Sequence, residues 1–241
     1  YQVGLATCLN WFVHPFGGAS TRAGTAFVGD AVDAAVRSRL VPFQFSTIET
    51  YVLEFAHQKM RVIRDGGYVL EASVAIAGIT NATPGLVTTA VPHGFADGDH
   101  VWIDGVQGMV EVNRRRFTVA AATPTSFQLA GGDTSMRSAW SGGGTVARLY
   151  TLATPYAASD LALLKYVQSA DTMTLTHPGY APRNLTRTGH TAWTLTAITF
   201  APATAAPTGL ASSNPGGAQS YVLTAVNEES GEESLASAAV G

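Results

Sequence analysis

The chain has 241 residues, enough for one large domain or two to three small ones with a real core, and this length rules out a disulfide-stapled miniprotein. Charged residues make up 13% of it, against roughly 25% in an ordinary soluble domain. The net charge of −3 argues against a protein that coats nucleic acid by neutralising phosphates, which needs clustered Lys and Arg in excess.

Taken in chain order, a weak helical pattern covers 30–39, and residues 40–70 then alternate apolar and polar in short bursts rich in Val, Ile, Phe and Tyr. Alternation of that kind predicts strands: one from Pro42, a second over 50–55, a third over 60–64 and a fourth from Tyr68, the last preceded by the turn residues Asp65-Gly66-Gly67. Residues 84–146 carry a turn signal about every ten residues, including Pro84-Gly85, His93-Gly94, Asp104-Gly105 and Gly142-Gly143-Gly144. Short apolar runs between such signals predict a small barrel or sandwich.

Residues 159–169 predict a helix, with Ser159 or Asp160 as cap and Leu161, Leu164 and Val167 on one face. Strand-like alternation returns at 172–178 and 192–200, as if a first unit resumes after a second has been inserted into it. The Pro- and Ala-rich stretch 201–207 closes that region. Beyond it, 220–237 holds a strand and an acidic turn with Glu228, Glu229, Glu232 and Glu233, expected as a solvated hairpin tip. The fold class expected is mainly β: a discontinuous platform from 1–78 and 149–202, an inserted small β-barrel at 79–148 and part of a β-sandwich at 203–241, with few short helices. A start at Tyr1 rather than Met and a stop at Gly241 after a strand-like run suggest a piece of a longer protein.

Three stretches carry a resemblance. The pairs His93-Gly94, Gly98-Asp99 and Gly108-Met109, the stretch from Asn113 to Phe117, the strand from Ser126 to Leu129 and the ending from Gly143 to Val146 resemble the repeat in phage proteins named after the first catalytic cysteine half-domain of ubiquitin-activating enzymes. The repeat's usual Asn-Gly-Arg-Phe is one residue shorter than Asn113-Arg114-Arg115-Arg116-Phe117, so a bulge is expected there. The N-terminal text through Gly67, and the text from Ala153 to Leu195, are similar to the segments flanking that repeat in nozzle-type tail proteins of short-tailed phages. The resemblance implies a virion tail subunit, assembled in the bacterial cytoplasm, in a ring of about six copies around the DNA exit channel. It implies other tail proteins as partners, transient passage of genomic DNA and a fibronectin type III-like domain starting near Pro207. No catalytic role comes with it.

The chemistry-bearing residues give the same picture when read directly. No segment approaches the roughly 20 apolar residues of a bilayer span; the best runs, such as 72–78, are strand-length, so neighbouring subunits are the expected cover for so sparsely charged a surface. The single cysteine, Cys8, permits no internal disulfide, fits a reducing compartment and sits among apolar residues as a small buried hydrophobe. Gly17-Gly18 lacks the spacing of a nucleotide-binding turn. His93 and His100 flank a stretch with Asp97 and Asp99, near Asp104, but without calcium-loop spacing these read as hairpin turns. Arg114, Arg115 and Arg116 are split by strand alternation between two faces, and Trp102, Trp140 and Trp193 fit packing better than a sugar platform. We therefore expect no catalytic, cofactor or metal residues. Two rivals remain: a glycan-binding or host-adsorption module of a tail appendage, and a tail-associated hydrolase.

Overall fold

In the computed structural model, residues 7–25, 27–46, 48–211 and 220–240 are described; the remaining parts of the expected platform and sandwich regions, 1–6, 26, 47, 212–219 and 241, lie outside them. The chain is mainly β. Two three-residue strands, β1 (Trp11–Val13) and β2 (Ala19–Thr21), pair as an antiparallel arm whose residues are all exposed.

The expected meander follows as β3 (Arg39–Gln44), β4 (Thr50–Ala56), β5 (Lys59–Arg64) and β6 (Gly67–Tyr68). Register explains its amphipathic character. Val41 faces Leu53, Phe43 faces Tyr51, Leu53 faces Val62 and Phe55 faces Met60, so one face collects buried side chains only. The turn from β5 to β6 has positive φ at both Asp65 and Gly66, the geometry that matches strand twist in a tight hairpin. The strand expected from Tyr68 ends at once, leaving only a bridge between Leu70 and Leu149, because the chain departs into a second body.

That body is a closed barrel of β7 (Val74–Ile79), β8 (Leu86–Thr89), β9 (His100–Gln107), β10 (Arg115–Ala120), β11 (Ser126–Leu129) and β12 (Gly142–Arg148), in the order β10-β11-β8-β7-β12-β9. It starts at Val74, inside the stretch expected to belong to the platform, because Ile76 and Ile79 of β7 help fill the barrel interior with Val87, Val101, Ile103, Phe127 and Leu129. Closure removes every free strand edge. Several motif residues serve this geometry. Asn113 bonds both backbone groups of Val106, accepting at Oδ1 and donating from Nδ2, each at 2.8 Å. Gly108 has φ +80, and a side chain there would strike the carbonyl of Ala139. The residue after Asn113 also has positive φ: Arg114 stands at +57, where glycine is the unstrained choice.

After the barrel, β13 (Thr151–Ala153) returns to pair with β5, so the barrel is spliced into one sheet of order β13-β5-β4-β3. A 3-10 turn at Leu161–Leu163 leads to β14 (Lys165–Ser169), β15 (Thr172–His177), β16 (Tyr180–Gly189) and β17 (Ala192–Ala197), which form a second sheet in sequence order. The helix expected over 159–169 is therefore absent. Leu161 and Leu164 are buried, but Val167, expected on the same face, is exposed and every residue of β14 pairs with β15; non-local pairing overrides the helical spacing. The weak helical pattern at 30–39 is likewise not realised, and Val32 instead donates its N–H to Glu54 at 2.9 Å.

The two sheets share one core. Met173, Leu175, Leu185 and Trp193 pack onto Phe43, Tyr51, Leu53 and Phe55, with the Trp193 and Phe43 rings edge to face at 4.8 Å. At its margin the buried Arg187 joins the sheets, donating to Tyr51 Oη at 2.9 Å, Glu49 at 2.7 Å and Asp171 at 3.3 Å. Residues 221–240 form a hairpin ladder with bridges at Tyr221–Val240 and Val226–Glu233. Among the described residues no helix is long and apolar enough to cross a membrane.

Substituting Leu53 by Ala should destabilise the sandwich by about 2–5 kcal/mol, read as a fall in the urea midpoint. Arg114→Gly should instead stabilise the barrel by roughly 0.5–1 kcal/mol, since it relieves a left-handed position at the cost of some unfolded-state entropy.

Candidate functional site

The residues singled out for chemistry are mostly structural supports. Among the described residues no three of His, Cys, Asp and Glu converge to hold a metal ion. His93 is buried and accepts the Phe95 N–H at 2.9 Å while stacking on the Phe95 ring. Asp97 accepts from the Ala122 N–H, Asp99 from Ala96 and Asp104 from Gly105; the first two brace the turns at the barrel rim, whereas Asp104 and Gly105 stand inside β9 opposite β12, not in the turn expected there. Cys8 is partly exposed, a departure from the buried thiol expected. Glu232 also departs from the solvated reading, because it accepts hydrogen bonds from the Ala203 and Thr204 N–H groups and the Thr204 hydroxyl, fastening the linker to the terminal hairpin.

A polar cluster lies where the barrel meets the first sheet. Arg148, last residue of β12, reaches Glu71 at 2.7 Å and Asp99 at 3.1 Å, tying both chain crossings to the barrel rim. Beside it Arg61 is 1% exposed; its Nη2 donates to His100 Nδ1, its guanidinium lies 5.6 Å from the centre of the Tyr68 ring, and its Nε and Nη1 are buried without a protein partner. Sequence reading missed Arg61. Its place between Met60 and Val62 was the available signal, since alternation puts it opposite the sandwich core. Burial, helped by Arg61, Arg116 and Lys59, lowers the His100 imidazole to about 4 from 6.5 and keeps it neutral, as acceptance from Arg61 requires.

The arginine triplet behaves partly as expected. On β10, Arg116 pairs with Trp102 and Arg115 with Ile103, which are opposite faces. All three arginines nevertheless border one cavity of about 420 Å³ with Phe27, Asp30 and Trp102, because the left-handed turn at Arg114 folds the triplet round the strand end. Arg116 bonds the Ala31 carbonyl at 3.2 Å and lies 3.6 Å from Asp30. Trp193 is buried in the sandwich, Trp140 donates to the Gly143 carbonyl at 3.2 Å, and Trp102 meets Tyr68 edge to face at 69°, so these rings do not form a flat platform.

Two apolar features complete the site. The β1–β2 arm exposes Trp11 by 50%, Phe12 by 56% and Phe16 by 103%, with Leu9 and Val13 beside them. A groove of about 590 Å³ lies over the outer face of β3, β4 and β5, walled by Val28, Leu40, Val52, Ile63 and Tyr68.

Arg187→Met should cost about 2–4 kcal/mol, because it strands partly buried carboxylates at the sheet margin; chemical denaturation measures it. Below pH 6.5 the unfolded chain takes up a proton at His100 that the folded chain refuses until about pH 4. Stability from this ring is therefore complete above 6.5 and falls as pH drops through that window, so thermal melts should show a slope there that His100→Gln flattens.

Residues 82–149 match the family model described as the ubiquitin-activating enzyme E1 FCCH domain. No curated protein matches the chain. The matched span lies over the barrel, from just after β7 to one residue past β12, so the likeness belongs to that body.

Proposed function

We propose that the chain is a non-enzymatic structural component of a phage tail, a ring-forming nozzle or tail tube subunit around the DNA exit channel. The observation that carries this reading is the placement of apolar surface. Large aromatic and aliphatic side chains stand exposed on an arm outside both cores, on a chain with only 13% charged residues, and contiguous exposed apolar patches mark surfaces that other proteins cover. Support also comes from the order of the nozzle-like segments before and after the barrel, and from motif residues that build the turns and strands of the barrel. In this reading closed cyclic symmetry repeats one contact around the ring. Sedimentation velocity and negative-stain imaging of the purified chain, with mass measurement on intact tails, should show a closed ring of about six copies. A strictly monomeric species in both settings would sink the reading.

A second reading, a glycan-binding or host-adsorption module, is favoured by one feature: Phe27, Tyr68, Trp102 and Arg114 border a cavity of about 490 Å³, a size and lining suited to a small ligand. A glycan array without binding would remove it.

A further inference from the structure

We infer that the β1–β2 arm of one copy docks into the outer-sheet groove of the next copy, making a head-to-tail contact. This rests on the ring-subunit reading and adds which surfaces meet. A two-stranded ribbon is marginal in water unless something packs on it, yet each residue of β1 and β2 is exposed and the tip residue Phe16 is fully so. The arm needs a partner, and the chain itself carries a suitable one. The groove is walled by Val28, Leu40, Val52, Ile63 and Tyr68, and Leu40 is 62% exposed.

Size supports the pairing. Taking roughly 200 Å² for a whole aromatic side chain, the exposed fractions of Trp11, Phe12 and Phe16 present on the order of 400 Å². That is about half of the roughly 800 Å² each partner contributes to a stable interface, before Leu9 and Val13 are added. Residues 7–25 hold one formal charge, Arg22, and no carboxylate. Charge does not decide the pairing: at the groove Asp30 lies 3.6 Å from Arg116, and Glu54 is only 3% exposed and stands across the strand pair from Arg61. Arm and groove are different patches, so each copy offers one of each. Such a heterologous contact propagates from copy to copy and closes if the rotation allows.

The test uses the whole 241-residue chain in two forms. An arm variant, Trp11→Asp with Phe16→Asp, and a groove variant, Leu40→Asp with Val52→Asp, should each keep a β-type circular dichroism spectrum and self-associate at least about 100-fold more weakly than the parent in sedimentation velocity. Mixed one to one, they should form a heterodimer through the single intact arm and groove. In a second experiment Phe16→Cys and Val52→Cys, on a Cys8→Ser background, should give a ladder of cross-linked multimers on oxidation. Assembly of either variant at parental strength, or no heterodimer on mixing, overturns the docking while leaving the ring reading in place. A cross-link confined to the monomer shows the arm in its own groove and also overturns it. A parent chain that is monomeric at every concentration removes both.

Discussion

The structure depends on a short neck of paired backbone at residues 69–71 and 148–150. Glu71 donates its N–H to the Arg148 carbonyl and Tyr150 donates to the Val69 carbonyl, each at 2.9 Å, while Leu70 and Leu149 bridge between them. Because the chain enters and leaves the barrel side by side, β5 can pair with β4 on one edge and with β13 on the other, and the platform sheet runs on as if nothing had been inserted. Arg148 locks the neck from outside through Glu71 and Asp99. Leu149 then donates its N–H to the His100 carbonyl at 2.8 Å, which sets the first residue of β9 against the platform.

Polar groups at the joints are handled differently at the two seams. At the sandwich margin Arg187 is satisfied by Tyr51, Glu49 and Asp171 and also lies over the Phe45 ring at 4.5 Å, so charge, hydrogen bonds and packing agree. At the barrel seam Arg61 has a neutral imidazole and an aromatic face as its close neighbours. Burial pulls its guanidinium below the ordinary value, and Glu54 across the strand pair opposes that. The seam is thus the less completely compensated of the two joints.

Much of this was legible in the residues. Alternation identified β3, β4 and β5 because one face of each is buried, and the turns at Gly94, Gly98 and Gly108 helped delimit the barrel because φ is positive there. Gly105 and Gly142 to Gly144 also have positive φ but lie inside β9 and β12 rather than in the turns expected of them. What escaped was non-local. Leu161, Leu164 and Val167 fit a helix as well as they fit anything local; only the facing strand Thr172–His177 makes Lys165–Ser169 extended. Glu232 could be placed only once its partners, the distant Ala203 and Thr204, were known. The arm was hidden for a related reason: the aromatic run around Trp11 and Phe12 looks like core, and the fold leaves it outside.

The neck also shapes the order in which the chain can fold. Pairing β5 with β13 joins Arg61 to Thr151, and in an open coil that closure would cost entropy that grows with the intervening length. A barrel already folded holds Leu70 and Leu149 together and converts the distant contact into a near one, lowering the effective contact order of the platform. The inserted body therefore acts as a clasp for its host, and a nascent chain gains a ready-made site for β13 as soon as residues 74–148 have condensed.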